Sequence, residues 1–142
     1  NKVIDLKQFI EKIIFKTTGN QILNITDSVK QYVEKCKINN GLMNLSILHT
    51  SCSLMIQENA DQTVLEDIKN FLNEIAPHKN YLHNTEGPDD MPAHLKSMLT
   101  QTNLTLSIID KSIILGVWQG VFLLEHRFGR KQREVLVHLI GD

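Results

Sequence analysis

The sequence predicts an α+β domain in which mixed or antiparallel β-sheet layers pack against two main helices and one short helix. Three observations support this fold class: apolar runs of strand length in both halves of the chain, a strongly periodic helical segment between residues 61 and 77, and an element order of roughly ββαββαα followed by three or four strands. With 142 residues, 42% hydrophobic and 22% charged, the chain fits a single domain spanning residues 1–142.

The start of the chain is predicted to form two strands and one helix. Residues 3–18 alternate loosely before a turn signal, and residues 22–25 form a second, shorter apolar run. Helical spacing then begins at a cap, either Thr26 or Asp27. The segment Asn39-Asn40-Gly41 stops this helix, because glycine readily adopts the left-handed backbone found at helix ends.

Residues 42–48 are predicted to form a strand whose alternation sorts the side chains onto two faces. The apolar face consists of Met43, Leu45 and Ile47. Continuing the alternation places His49 on the same side. A second strand follows and aims the Glu58 carboxylate toward the interior at its end.

The strongest helical pattern starts after Asp61, which caps it, and ends before Pro77. Its apolar stripe comprises Val64, Leu65, Ile68, Phe71, Leu72 and Ile75. The next segment, residues 78–91, is a polar loop, and ordered loops of this length in small domains often carry function.

A short helix and several strands complete the predicted fold. Asp90 caps this helix, Pro92 lies in its first turn, and Leu95 and Leu99 anchor it. The remaining strands are predicted at residues 104–109, 113–115, 117–125 and 134–140. Several of these runs are apolar on both faces, so we expect the sheet to be covered on both sides, with Trp118 in the core.

Composition limits the classes of partner and compartment. A net charge of −1 gives no general attraction to nucleic acid or anionic lipid, and no apolar run is long enough to span a bilayer. The two cysteines, Cys36 and Cys52, fall in a predicted helix and a predicted strand, as expected for unpaired thiols of a cytoplasmic protein. The chain begins with asparagine, which leaves open whether a targeting leader was removed.

Three histidines share a setting that suits metal binding. His49 ends a strand, His83 lies in the long loop, and His94 is near the start of the short helix. Three neutral imidazoles converging from separate segments would suit Zn²⁺ with an open coordination position. Their spacing matches no local metal signature, so scattered polar histidines are the alternative.

Other polar residues are candidates for acid–base chemistry or phosphate binding. Carboxylates that could act as a base or bind Mg²⁺ are Glu58, Asp61, Glu86, Asp89 and Asp90. Capping and turn chemistry accounts for Asp61 and Asp90, but poorly for Glu58. Gln119 lies in an apolar strand and needs a partner. Helix N-termini, Lys96 and the turn with Arg130 and Arg133 could bind phosphate, although a solvated hairpin explains the turn equally well.

The chain resembles the YjbQ-like family, also called the secondary thiamine-phosphate synthase family. The resemblance extends from about Gln8 to Asp142. At Gln57 the sequence departs from the family, which often has asparagine there. The matching motifs are His49-Thr50-Ser51, Gln57-Glu58-Asn59-Ala60-Asp61, Tyr81-Leu82-His83, the segment from Glu86 to Lys96, Leu115-Gly116-Val117-Trp118-Gln119-Gly120 and Glu125-His126-Arg127.

This resemblance implies a homotrimer with a histidine-lined, metal-binding pocket near a subunit boundary, and a weak thiamine-phosphate synthase activity that releases pyrophosphate. Matched by position, the metal ligands are His49, His83 and His94. The predicted catalytic residues are Glu58, Lys96 and Gln119. The predicted substrate-binding residues are Asn59, Asp61, Glu125 and Arg133.

The resulting hypothesis is a small metal-binding enzyme that acts on a phosphorylated small molecule. Zinc suits three histidines, whereas pyrophosphate departure usually uses Mg²⁺ on oxygen ligands, so Mg²⁺ stays an alternative. Two other functions remain open: a metal- or ligand-binding protein without turnover, and a metal-dependent hydrolase. The sequence alone does not identify the substrate.

Overall fold

Alternating apolar strands and three amphipathic segments form an α+β fold, as predicted. The computed structural model describes residue 3 and residues 5–142. Its elements in chain order are β1 (Lys7–Thr17), β2 (Ile22–Asn24), α1 (Thr26–Cys36), β3 (Gly41–Ile47), β4 (Cys52–Glu58), α2 (Gln62–Ile75), α3 (Asp90–Leu99), β5 (Asn103–Ile109), β6 (Ser112–Ile113), β7 (Gln119–Glu125) and β8 (Lys131–Gly141).

The strands form two antiparallel sheets. The first has the order β1-β8-β3-β5-β6 and the second has the order β2-β7-β4. The longest pairing joins β1 to β8, from Lys7 opposite Gly141 to Thr17 opposite Lys131. Strand β7 pairs with β4 along its whole length, so Glu125 lies opposite Cys52.

Strand β7 connects the two apolar cores of the domain. Its residues Val121 and Leu123 face the main core, which also contains the inner face of the five-stranded sheet and helix α1. Its residues Phe122 and Leu124 pack with α2 in a second, smaller core. The predicted burial of Met43, Leu45 and Ile47 on β3 is confirmed.

The expectation that the sheet is covered on both sides is correct for β7 and wrong for the five-stranded sheet. On the outer face of that sheet, large apolar side chains are exposed: Ile10, Ile14, Leu42 and Ile140. All three helices instead pack elsewhere, so nothing within the described part of the chain covers this face.

Helix α2 begins as predicted but buries less than its pattern suggests. The Asp61 side chain caps it by accepting a hydrogen bond from Thr63 N. Leu65 and Leu72 are buried. Phe71 and Ile75 are exposed, at 59% and 45%, because the second core is narrow and contacts only part of the stripe.

Helix α3 differs most from its prediction. Its N-cap is Asp89, and Asp90 is the first helical residue rather than the cap. The buried side chains include Lys96 and Ser97, whereas the predicted anchor Leu99 is exposed. Ser97 Oγ donates a hydrogen bond to the carbonyl of Cys52 on β4, so α3 docks through polar contacts rather than a leucine stripe.

Local turns account for two further differences. Trp118, predicted to be core, is 63% exposed and lies in the turn before β7, where Gln119 Oε1 accepts a hydrogen bond from Gly116 N. Helix α1 has Ile25 rather than Thr26 or Asp27 as N-cap. It ends earlier than expected, because Lys37 already adopts the left-handed backbone, with φ of 57°.

Cys36 and Cys52 are both free, as the sequence indicated, and both are buried. Across residue 3 and residues 5–142, no helix is long and apolar enough to cross a membrane.

Candidate metal centre

The loop after α2 carries His83 to the first turn of α3, where Asp90 and His94 lie one turn apart on the same side of the helix. His83 Nε2 lies 2.6 Å from Asp90 Oδ2. His94 Nε2 lies 3.0 Å from the same oxygen. The three donor atoms all lie within 4.8 Å of one another. This arrangement can hold a metal ion.

Arg127, which follows β7, fixes the carboxylate in this group. Its Nη1 donates to Asp90 Oδ1 at 2.8 Å, and its Nε donates to Asp89 Oδ2 at 2.9 Å. Burial opposes ionisation of Asp90, but the contacts with His83, Glu86, His94 and Arg127 lower the pKa of this carboxyl below its ordinary value. Asp90 is therefore an anion at neutral pH, with one oxygen held by Arg127.

The hydrogen-bond partner of His94 assigns its tautomer. His94 Nδ1 lies 2.8 Å from the carbonyl oxygen of Thr50. Because a carbonyl only accepts, Nδ1 must carry the hydrogen, and a neutral His94 then presents a lone pair at Nε2. That lone pair faces the Asp90 carboxylate, and two acceptors approach this closely only when a proton or a metal cation lies between them.

The donor chemistry fits a divalent transition metal. Two imidazoles and one carboxylate are ligands that proteins use for Zn²⁺ and for Fe²⁺ with open positions. The Thr50 carbonyl and Arg127 orient His94 and Asp90, which is the supporting role that neighbouring groups play around bound metals. The side chain of Asp90 is 3% exposed, whereas those of His83 and His94 are 40% and 29% exposed. The group therefore opens toward solvent on its histidine side.

The structure brings together two of the three histidines predicted as ligands. The side chain of His49 lies outside the group, and its Nε2 accepts a hydrogen bond from Glu134 N at 2.8 Å. Burial and the nearby Arg133 charge lower the pKa of His49. The same segment still contributes to the centre, because the carbonyl that holds His94 belongs to Thr50, the next residue.

The predicted residues near the start of α2 form hydrogen bonds at a turn. Glu58 Oε2 accepts from Ala60 N and Asp61 N, at 3.2 and 2.8 Å. Asn59 Nδ2 donates to the carbonyl of Gln119 at 3.2 Å. These contacts join the end of β4 to the start of α2 and to the turn before β7, while the histidines are carried by other segments.

Glu125 and Arg133 form a buried ion pair. Arg133 Nε donates to Glu125 Oε1 at 2.6 Å, and Arg133 Nη2 donates to Oε2 at 2.5 Å. Thr17 Oγ1 and Arg127 N also donate to this carboxylate. Burial opposes ionisation of Glu125, but the Arg133, Thr17 and Arg127 contacts lower its pKa overall.

Lys96 occupies a different side of α3 from His94. Its ammonium is buried and donates to Asn73 Oδ1 on α2 at 2.6 Å. The residues predicted for one pocket therefore fall into five places: the histidine group, the contact of His49 with Glu134 N, the turn at Glu58, the Glu125–Arg133 pair and the contact of Lys96 with α2.

The sequence patterns do not predict the roles of Asp90 and Arg127 at the centre. Capping explains Asp90 without any ligand role, and Arg127 stands out only as part of a motif. The available signal is the i, i+4 spacing of Asp90 and His94, which puts a carboxylate and an imidazole on one helix face.

Comparisons with known proteins agree with this fold. The sequence model of a family described as "UPF0047 protein YjbQ-like" matches residues 11–142. A UPF0047 protein of Synechocystis is 42% identical over 138 residues, covering 96% of this chain and 94% of its own length. The UPF0047 protein YjbQ of Escherichia coli O157:H7 is 39% identical over 120 residues, covering 83% and 87%.

Solved structures give the same result. A YbjQ-like protein of unknown function from Sulfolobus solfataricus superposes with a TM-score of 0.90 at 26% identity, covering 97% of this chain and 100% of that one. A conserved hypothetical protein from Thermus thermophilus has a TM-score of 0.77 at 37% identity, covering 89% and 97%. These descriptions give no activity, so the synthase function stays a prediction.

Proposed function

We propose, from the premise that this chain belongs to the UPF0047 YjbQ-like family, that His83, Asp90 and His94 bind one divalent metal ion, with zinc preferred. The observation that carries this proposal is that one ligand atom from each of His83, Asp90 and His94 lies within 4.8 Å of the others. The Thr50 carbonyl holds His94 Nδ1–H, so Nε2 is the nitrogen that faces the carboxylate and could bind a cation shared with it. His49, the third ligand predicted from the sequence, is not part of this group, and its Nε2 accepts a hydrogen bond from Glu134 N.

The proposed activity is a metal-dependent reaction of a phosphorylated small molecule, with thiamine phosphate formation as a weak or side activity. A bound ion would supply a Lewis acid for phosphate oxygens or a water of lowered pKa. The chain's residues would orient the ligands: Arg127 holds Asp90, and the Thr50 carbonyl holds His94. The exposed imidazoles leave an approach for the substrate from solvent.

A hydrolase is the second candidate, and the donor set favours it. Two histidines and a carboxylate are a ligand set of zinc hydrolases that keep a position for water. Pyrophosphate departure more commonly relies on Mg²⁺ with oxygen ligands, and this group offers one carboxylate. A metal-binding protein without turnover is the outcome if neither reaction is found.

The protein is also proposed to be a cytoplasmic homotrimer. The uncovered outer face of the five-stranded sheet, with Ile10, Ile14, Leu42 and Ile140 exposed, supports association with other copies. Light scattering should then give about three times the chain mass of 16.2 kDa. A mass equal to one chain would overturn the trimer. The two free thiols support the reducing compartment.

Metal analysis of protein purified without an affinity tag tests the metal proposal. We expect one zinc ion per chain, and we expect His83→Ala and His94→Ala each to weaken zinc binding by at least about 100-fold. His78→Ala is the matched control, because His78 is an exposed loop histidine outside the group. His49→Ala should retain zinc if Asp90 is the third ligand. Equal zinc affinity in all four variants would contradict the proposal.

The enzyme proposal needs its own test. Thiamine phosphate formation should be measured for the native protein and for His94→Ala with the same preparation. Loss of activity in the variant supports catalysis by this chain. Equal rates would show that the activity comes from a contaminant.

A further inference from the structure

A second polar cavity lies on the other side of α3 from the metal centre. Its polar lining includes Lys96 from α3, Lys69 and Asn73 from α2, and Glu125 and His126 at the end of β7. It measures about 240 Å³ with its open mouth, and its deep part has room for about one water. Lys96 reaches into this region while His94 points to the Thr50 carbonyl, so the two features are separate.

The cavity contains a buried positive charge without an anionic partner. Lys96 is 3% exposed, and among the hydrogen bonds of the described residues its ammonium has one acceptor, Asn73 Oδ1, for three N–H donors. No carboxylate oxygen lies within 4.0 Å of this nitrogen in that part of the chain. A buried ammonium with two unused donors is costly unless a further acceptor is present.

Among the described residues, one carboxylate lines the cavity, and it is already neutralised by Arg133. Glu125 accepts hydrogen bonds from both Nε and Nη2 of Arg133, and from Thr17 and Arg127 N. The neighbouring charges are positive instead. Burial and the charge of Lys69 lower the pKa of Lys96, and burial together with the Lys96 and Arg133 charges lowers that of His126. This environment favours an anion.

We propose that this cavity binds a small oxyanion, namely phosphate or the phosphate group of a larger molecule, between the ammonium groups of Lys96 and Lys69. Because the deep part has room for about one water, it would take one oxygen of the anion, and the rest of the anionic group would remain at the mouth. Lys96 supplies its two remaining N–H donors from below, and Lys69, which is partly exposed, closes on the anion from the rim. This site is independent of the proposed metal function.

Calorimetric titration of metal-free protein with inorganic phosphate tests the site. Lys69→Met and Lys96→Met should each weaken phosphate binding about tenfold or more, which corresponds to about 1.4 kcal/mol for one charged contact. Lys30→Met, at a surface lysine on α1, is the matched control and should bind as the native protein does. Since Lys69 is partly exposed, that variant keeps the test valid even if Lys96→Met folds poorly.

Two further arms identify the source of the anion and separate this site from the metal centre. Inorganic sulfate, phosphate and a simple phosphate monoester should all compete for the site if it recognises only the oxyanion group. His94→Ala should bind phosphate normally, so loss of the metal centre would leave this result intact. Native affinity in both Lys69→Met and Lys96→Met, or loss of phosphate binding only in His94→Ala, would overturn the proposal.

Discussion

Asp90 and Glu125 are two buried carboxylates that each accept hydrogen bonds from an arginine, but the rest of their surroundings differ. The remaining contacts of Glu125 come from Thr17 Oγ1 and Arg127 N, and its side chain is 0% exposed. The second oxygen of Asp90 faces the imidazole nitrogens of His83 and His94, both partly open to solvent. Glu125 is fully satisfied by groups that donate to it, whereas Asp90 faces two imidazole nitrogens, each of which can carry a proton or bind a metal ion.

This difference is the basis for treating Glu125 as structural and Asp90 as a candidate metal ligand. A hydroxyl, a backbone amide and a guanidinium can donate at any physiological pH, so Glu125 is satisfied as soon as the chain folds. An imidazole is also a metal ligand, and its second nitrogen is fixed here by the Thr50 carbonyl. We infer that burial of a carboxylate says little about its role, and that the type of nitrogen or oxygen opposite it says more.

The largest effect is expected from breaking the Glu125 pair. Arg133→Met leaves an unpaired buried carboxylate, so the free energy of unfolding in urea should fall by about 3–5 kcal/mol. The double variant Glu125→Gln with Arg133→Met should recover much of that loss, because no buried charge is left alone. A single variant within experimental error of the native protein would contradict the structural role of the pair.

The second effect concerns His126, which lies between Glu125 and Arg127 and is 5% exposed. Burial, then the positive charges of Lys96 and Arg133, lower the pKa of His126 from 6.5 to about 4. Between these two values the unfolded chain binds a proton that the folded chain does not. Stability should therefore fall as pH drops from 6.5 to 4, by up to about 3 kcal/mol, and should not depend on His126 above this window.

The variant His126→Gln isolates this contribution. Unfolding free energies of the native protein and the variant should be measured across the same pH range, because acidic groups titrate alike in both and cancel in the difference. The variant should lose less stability on acidification. Parallel curves would show that His126 accepts its proton without unfolding, and that this region is open to water.

Zinc binding provides the next effect, because it distinguishes the two carboxylates directly. At a zinc concentration about 100 times its dissociation constant, bound zinc should raise the free energy of unfolding of the native protein by about 2.7 kcal/mol. Asp90→Asn should lose this increment, because an amide is a weak ligand. Glu125→Gln should keep it, although its baseline stability is lower. If Asp90→Asn retained the zinc increment, the proposed ligand set would be wrong.

Local patterns predicted much of the fold because their causes are local. Alternation identified the buried face of β3, and the position of Asp61 identified the start of α2. The same logic misread Asp90, since an acidic residue two positions before Pro92 looks like a cap whether it bonds the helix backbone or a nearby imidazole. Nothing in the spacing of α3 indicated that Lys96 would be buried while Leu99 stayed exposed.

The candidate site was harder to predict because its contacts join distant segments. Arg127 reaches Asp90 across 37 positions, and the Thr50 carbonyl reaches His94 across 44. These residues, far apart in the sequence, come together only because β7 pairs with β4 and α3 docks on β4. The setting of the histidines in the sequence already made His83 and His94 candidate ligands, whereas only the three-dimensional fold placed Asp90 between them.

The smallest predicted effect refines the description of Glu125. Thr17→Val removes one hydroxyl donor at nearly constant volume, and loss of a hydrogen bond to a charged group should cost about 1.5 kcal/mol at pH 7. The pKa of Glu125 is lowered in the folded protein, so its contribution is present above the ordinary value of 4.5 and is lost as pH falls below it. The difference in unfolding free energy between the native protein and the variant should narrow in that acidic range, as measured by urea unfolding.

The zinc increment should be unchanged in Thr17→Val, because Thr17 donates to Glu125 and has no contact with the histidine group. A change in zinc affinity would mean that the two carboxylates are coupled through Arg127. The structural role of Glu125 and the proposed metal-binding role of Asp90 would then not be separate.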